Sequence, residues 1–262
     1  MILAVDVGNS NTTVGLFNGT GELLFRALLE TSRSKTRDQC AIELLGVFQL
    51  YGADACTVDG AILSSVVPPL TTIFIDAIAR LTGIPPMVVG PGIRTGLNIK
   101  AEIHNQLGSD IVASSVAAIA KYPSPIVMVD MGTATSLSLI VGSVYEGCII
   151  MPGLALALDA LSERAAALPP ISIETASPVG LMGHTTEEAM RSGVLYGHAS
   201  MVDGMLERIE ESIGQSVTTV ATGGNAPRIL RYCKRPIQYD ADLIMTGLYL
   251  LYQKNAKKYR KA

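Results

Sequence analysis

The sequence predicts an α/β protein of two tandem halves, each with a mixed sheet, arranged around a central cleft. Three observations carry that prediction. An apolar run closing on Asp-x-Gly occurs twice, once at residues 2–8 and once at residues 126–132. Each copy is followed by small hydroxyl or amide residues and then a second apolar run, the layout of two strands joined by a tight turn. Beyond each hairpin the predicted elements come in the same order, three strands and then helices alternating with strands. A repeated order of this kind implies two layered α/β domains.

In the first half, residues 2–5, 12–17 and 22–29 read as a meander of three strands. Asn18-Gly19-Thr20-Gly21 is the second turn, with Asn-Gly its strongest signal. A helix is expected over 38–51, apolar at Ile42, Leu44, Leu45, Val47 and Phe48, then a buried strand over 59–64. Pro68 and Pro69 open a helix reaching about Leu81, since proline suits a first helical turn. Residues 87–89 form a strand, Gly90–Gly96 a loop, and Ser109-Asp110 start a helix that runs to Lys121. In the second half, strands are expected at 126–130, 134–141 and 144–148, with a turn at Gly142-Ser143. Helices follow at 153–167 and 186–213, then a strand at 218–222 broken by Gly223-Gly224-Asn225. Asp240-Ala241-Asp242 open a final helix to about Lys257. The two prolines of Tyr122-Pro123-Ser124-Pro125 stop the preceding helix, so the expected domains are 1–122 and 123–262.

Composition narrows the function. The chain has 262 residues, 48% of them apolar and none of them Trp, so its core rests on aliphatic side chains. A net charge of −3 argues against nucleic acid or an anionic membrane as a partner. The basic tail (Lys254, Lys257, Lys258, Arg260, Lys261) reads as a solvated helix end, and Arg33, Lys35 and Arg37 as a solvated loop. Cys40, Cys56, Cys148 and Cys233 form no CxxC pair or zinc spacing. They read as reduced and mostly buried, which fits a cytoplasmic protein. The first five residues lack a basic segment and run into the Asp-x-Gly loop, so they read as strand, not signal peptide. No apolar run reaches the roughly 18 residues of a membrane span.

The two loops have the chemistry of a phosphate site. Gly8 and Gly132 allow close approach of backbone N–H groups because no Cβ intervenes. Asn9, Ser10, Asn11, Thr12, Thr13 and Thr133 offer side-chain donors. Asp6 and Asp130 add carboxylates for a metal ion or its waters. Two such loops can clamp a nucleoside triphosphate. The repeated hairpin resembles that of the superfamily of acetate and sugar kinases, actin and heat-shock chaperones, which implies two ribonuclease-H-like (actin-like ATPase) domains.

Within that superfamily the chain resembles the type III pantothenate kinases. The resemblance runs over nearly the whole length. It rests on Asp6-Val7-Gly8-Asn9-Ser10-Asn11-Thr12, Ser64-Ser65-Val66-Val67-Pro68, Gly90-Pro91-Gly92-Ile93-Arg94-Thr95-Gly96-Leu97 and Asp130-Met131-Gly132-Thr133-Ala134-Thr135. It continues through Gly147-x-Ile149-x-x-Pro152-Gly153, Thr186 before Met190-x-Ser192-Gly193, and Ala221-Thr222-Gly223-Gly224-Asn225-Ala226. The resemblance implies phosphorylation of pantothenate by ATP, the first step of coenzyme A synthesis. It further implies that Asp6, Val7, Gly8, Asn9, Ser10, Asn11, Thr12, Thr13, Thr133, Gly223 and Gly224 bind ATP. Asp110 becomes the catalytic base, with Gly108, Ser109, Asp110, Ile111 and Thr186 binding pantothenate. Mg²⁺ is expected at Asp6, directly or through water, and a monovalent cation (K⁺ or NH₄⁺) at Asp130. A homodimer with a shared pocket, in which Thr186 reaches the neighbour's substrate, is also implied. From the residues themselves, Asp110 and Thr186 also read as helix caps, and a helix N-terminus is expected to lower the Asp110 pKa.

The departures cluster on the acceptor side. The family Arg after the base is Ile111, a Tyr is Ala101, a Pro is His104, and a Gly is Cys148. Ile in place of Arg removes five donors and a charge. Arg94, Lys100 and His104 stand nearby in sequence. Two alternatives follow, a catalytically impaired nucleotide-binding paralogue acting as a regulator, and a kinase for another small hydroxy acid. The expected outcome is that Ile111→Arg raises pantothenate turnover or lowers its KM with ATP affinity nearly unchanged, and more so with Ala101→Tyr. Steady-state kinetics check this; a wild type already at full rate with no gain from either change identifies Ile111 as a tolerated variant, and no turnover in wild type or double mutant with ATP still bound favours the alternatives.

Overall fold

The computed structural model describes residues 1–100, 107–174 and 179–259. Ala101, His104, Arg260 and Lys261 lie outside the described residues, as do the side chains of Lys257 and Lys258. The chain divides into two compact units, Met1–Lys121 with Asp242–Ala262, and Tyr122–Ala241.

The first unit is built on a sheet in the order β3-β2-β1-β4-β5. Its strands are β1 (Ile2–Val7), β2 (Asn11–Phe17), β3 (Leu23–Glu30), β4 (Gly60–Ser65) and β5 (Met87–Val88). β1 pairs antiparallel with β2 and parallel with β4. Side chains alternate across a strand, and every residue of β1 is buried because both faces of the sheet are covered. Leu3, Val5 and Val7 join one core with Leu44 and Phe48 of α1 (Arg37–Leu50) and Leu70 and Phe74 of α2 (Pro68–Thr82). Ile2 and Ala4 join another with Ala113 of α3 (Ser109–Lys121) and Met245, Leu248 and Leu251 of α7 (Leu243–Tyr259). A 3₁₀ turn at Ala55–Thr57 and a short β6 (Asn98–Ile99) complete the unit.

The placement of α7 differs from a division at residue 122. This last helix packs on α3, β1 and β4. It seats there because glycines leave room. A Cβ on Gly60 would lie 1.8 Å from the Tyr252 hydroxyl, and one on Gly247 would lie 1.9 Å from the Ala113 carbonyl oxygen. The helix begins after Asp242 and not at Asp240, whose carboxylate accepts a hydrogen bond from the Tyr122 hydroxyl at 2.8 Å.

The second unit repeats the plan with β7 (Ile126–Met131), β8 (Ala134–Val141), β9 (Val144–Pro152), β10 (Thr218–Thr222) and β11 (Gln238–Tyr239). Its strands run β11-β10-β7-β8-β9, with β7 antiparallel to β8 and parallel to β10. Helices α4 (Leu154–Arg164), α5 (Thr186–Ile213) and α6 (Ala226–Leu230) follow the same alternation. Val127, Val129, Leu137, Leu154, Leu195, Val202 and Leu206 form the core. The expected mixed α/β architecture with two sheets is therefore present.

Local differences have local causes. The turn stands at Asn18–Gly21 as expected, but its left-handed residue is Gly21 at φ 89° and not one of the Asn-Gly pair; among described residues no non-glycine has positive φ. Asn18 Oδ1 instead accepts from the Thr20 and Glu22 N–H groups at 3.0 and 2.9 Å. Only Cys40 is buried; Cys56 and Cys148 are exposed, the latter because it points outward from β9. In the basic loop, Lys35 pairs with Glu43 at 2.9 Å and Arg37 with Asp38 at 3.2 Å.

Gly247→Ala is expected to destabilise the protein by about 1–3 kcal/mol through overpacking, although alanine is the better helix former by about 1 kcal/mol. Denaturant midpoints check the sign.

Candidate active site

The parallel register of β1 and β4 sets Asp6 opposite Ser64 and Val7 opposite Ser65. Asp6, only 8% exposed, thus stands at the carboxyl end of the central strand. That is the end at which open α/β sheets bind ligands. After it the Gly8 N–H donates to the Asn11 carbonyl at 3.0 Å, and a Cβ on Gly8 would sit 3.0 Å from that oxygen. Asn9, Ser10 and Asn11 are exposed. The loop is braced from behind, by the Thr31 N–H on the Ser10 carbonyl at 2.9 Å and by the Thr12 and Thr31 hydroxyls at 2.8 Å. Val7 and Thr12 are buried and Thr13 is half-buried, so Val7 can reach a ligand only through its backbone.

The residues expected on the acceptor side sit at the start of α3. Asp110 is the second residue of that helix and not its cap. Its Oδ1 accepts from the Ile111 N–H at 2.8 Å. A Cβ on Gly108 would lie 2.3 Å from the same oxygen, so the carboxylate's position requires glycine there. Burial raises the Asp110 pKa above its ordinary 3.8, and the backbone N–H groups of Ile111 and Asp110 offset this only in part. The expected lowering at a helix N-terminus is therefore reversed, because desolvation outweighs the N–H groups. Ser109 Oγ lies 2.9 Å from Ser64 Oγ and 3.1 Å from the Ser65 nitrogen. Ile111 is half-buried. Arg94 is exposed, and its backbone N–H and carbonyl each bond the buried Asn255 side chain of α7 at 2.9 Å.

The second unit builds its loop differently. Asp130 lies opposite Thr222 in the parallel register of β7 and β10, and the Gly132 N–H donates to the Ala134 carbonyl at 3.0 Å. Thr133 is exposed and Asp130 half-buried. A Cβ on Gly153 would lie 2.2 Å from the Thr133 carbonyl oxygen, and one on Gly223 would lie 2.6 Å from Asp130 Oδ1. Gly223 also takes φ 93°, a conformation that glycine adopts without strain. Asn225 grips the loop through its backbone N–H on the Met131 carbonyl at 3.0 Å and its Nδ2 on the Gly132 carbonyl at 3.2 Å. Gly224 is exposed.

Two features of α5 are not legible in the sequence. His198 is buried, with Nε2 3.1 Å from the Pro152 carbonyl oxygen, so it ties α5 to the strand end that carries Gly153. A lone histidine in an apolar helix gives no such signal. The helix cap is Thr185, which accepts from the Glu188 N–H at 3.2 Å. Thr186 is left as an exposed first helical residue, and its capping role is corrected accordingly.

Every side chain on or beside these loops that could hold a cation offers oxygen. Among the described residues no group of three or more His, Cys, Asp or Glu could hold a metal ion. A single carboxylate such as Asp6 fits Mg²⁺, which keeps several waters and shares phosphate oxygens.

The type III pantothenate kinase family profile matches residues 2–208. A type III pantothenate kinase from Exiguobacterium is 39% identical over 98% of this chain and 100% of its own. Among solved structures, a conserved Campylobacter jejuni protein assigned to the Baf family of transcriptional activators covers 97% of this chain and 99% of its own, with TM-score 0.60 and 18% identity. A ROK hexokinase from Thermus thermophilus covers 98% and 99%, with TM-score 0.52 and 14% identity. These structures share the fold, that of sugar kinases and actin-like ATPases.

A raised carboxyl pKa in the folded state means that folding favours the protonated form. Its stability contribution is full below the unfolded value and is lost as pH rises through the folded pKa. Asp110→Asn is therefore expected to unfold at a higher denaturant concentration than wild type at neutral pH, with the difference vanishing below about pH 4. Denaturation midpoints at both pH values check this.

Proposed function

The chain belongs to the type III pantothenate kinase family, and on that premise we infer how its residues divide the work of phosphorylating pantothenate with ATP, in coenzyme A biosynthesis. The observation that carries the assignment is identity of 39% over the full length of a relative, with both Asp-x-Gly hairpins intact. No observation favours a non-catalytic regulator or another hydroxy-acid substrate.

In this reading the two hairpin loops hold the ATP phosphates, through backbone N–H groups and through the exposed Asn9, Ser10, Asn11 and Thr133. Asp6 holds Mg²⁺ directly or through water, Asp130 holds the monovalent cation, and Gly223 and Gly224 pass close to the nucleoside. Bound Mg²⁺ supplies charge that stabilises the transferring phosphoryl group. Asp110 takes the proton of the pantothenate hydroxyl as the phosphoryl group moves in line. Its raised pKa supports this role, because a base nearer the working pH accepts a proton more readily. Gly108, Ile111 and Thr186 complete the acceptor site.

The same reading includes a homodimer in which Thr186 serves the partner's pocket. The apolar stripe of α5 does not support it, since Met190, Val194, Leu195, Val202 and Leu206 are absorbed by the unit's own core. Support comes instead from exposed Ile150, Leu156, Leu161, Leu181 and Met182 in the second unit. A cytoplasmic location is part of the proposal, supported by four free cysteines. Among the described residues no helix is long and apolar enough to cross a membrane.

Chromatographic detection of phosphorylated pantothenate, in potassium and in sodium buffer, tests the reading. Product is expected only with ATP and pantothenate together, and faster in potassium. ATP binding without product in either buffer contradicts it.

A further inference from the structure

We propose that Ser109 is a positioning residue whose hydroxyl locks the first turn of α3, and with it the Asp110 carboxylate, onto the end of β4. The inference rests on Asp110 as the base and removes the Ser109 hydroxyl from the pantothenate contacts. A serine hydroxyl has one proton to donate and two lone pairs. Here all three are committed. The hydroxyl donates to the Ser65 carbonyl at 3.2 Å. It accepts from the Ser65 N–H at 3.1 Å and, with Ser64 as donor, from the Ser64 hydroxyl at 2.9 Å. The hydroxyl has no capacity left for a substrate, which leaves residue 109 only its backbone N–H for such a contact.

The anchor is rigid. Ser64 is fully buried and lies opposite Asp6 in the β1–β4 register. Ser65 also ties in α2, because its Oγ accepts from the Val67 N–H at 3.2 Å and the Thr71 hydroxyl at 3.0 Å. Ser109 therefore references Asp110 to the strand pair that carries Asp6.

The carboxylate needs this support because backbone groups orient it. Asp110 Oδ1 is held by the Ile111 N–H, and Ile111 supplies no side-chain donor. The direction of the carboxylate is inherited from the backbone of residues 109–111. The resemblance sets Arg where this chain has Ile111, so here the serine clamp acts without that side chain. A misplacement of about 1 Å at a reacting group can cost on the order of 10²-fold in rate.

The test compares Ser109→Ala, Ser109→Thr, Ser64→Ala and Asp110→Asn by kcat and by KM for ATP and pantothenate. Ser109→Ala is expected to lower kcat by about 5- to 50-fold, with KM for ATP within about twofold. Ser109→Thr, which keeps the hydroxyl, should recover most of that loss. Ser64→Ala, which removes one of the three contacts, should lower kcat by roughly 2- to 5-fold. Wild-type kcat in Ser109→Ala, or a raised pantothenate KM at unchanged kcat, overturns the proposal. If Ser109→Ala does not fold, unchanged kcat in Ser64→Ala overturns it. Wild-type turnover in Asp110→Asn would instead remove the premise that Asp110 is the base.

Discussion

The parallel pairing of a central strand with the strand beside it is the constraint on which both loops depend. In the first unit it sets Asp6 opposite Ser64, and in the second it sets Asp130 opposite Thr222. Side chains alternate along a strand, so a slip of one residue would turn each Asp to the other face. Burial on both faces prevents the slip. Leu3, Val5 and Val7 enter one core while Ile2 and Ala4 enter another. Each fully buried aliphatic side chain contributes about 1.5–3 kcal/mol, against a net 0.5–1.5 kcal/mol for a typical hydrogen bond. The apolar core therefore fixes the register, and the polar residues take the positions that it leaves.

The duplicated scaffold secures its two loops by different chemistry. The first unit uses hydroxyl contacts: Thr12 with Thr31 behind the loop, and Ser64, Ser65 and Ser109 beside it. The second uses missing side chains. Gly153 and Gly223 bring backbone within contact of Thr133 and Asp130, and Asn225 closes the turn. His198 carries the same support outward to α5. The helix that begins at Thr186 is thereby joined to the strand end behind Thr133.

Elements with a strong apolar period were legible in the sequence. The β1–β2–β3 and β7–β8–β9 meanders and the full extent of α5 (Thr186–Ile213) stand where the pattern places them. What was not legible depends on distant contacts or on competition between neighbours. The unit that α7 joins is decided by Gly60 and Gly247, far apart in the chain. Adjacent threonines compete for one cap, and Thr185 takes it. Within the expected turn after β2, the left-handed residue is Gly21, and Asn18 Oδ1 braces it by accepting from the Glu22 N–H. The sign of the Asp110 shift is a balance of burial against N–H groups, and burial cannot be read from a helix start alone. For the site, sequence singled out Asp6, Asp130 and Asp110, and their roles rest on family membership and residue chemistry.

The chemistry that emerges is a desolvated carboxylate, oriented by backbone N–H groups and set against the strand pair that bears Asp6. In the role proposed for it, such a carboxylate leaves a signature in pH. The most direct measurement is the pH dependence of kcat/KM for pantothenate in wild type and Asp110→Asn. The account predicts that wild-type activity falls on the acid side through one ionisation above the ordinary aspartate value of 3.8, and that this limb is absent from the residual activity of the variant. The same acid limb in both proteins would contradict it.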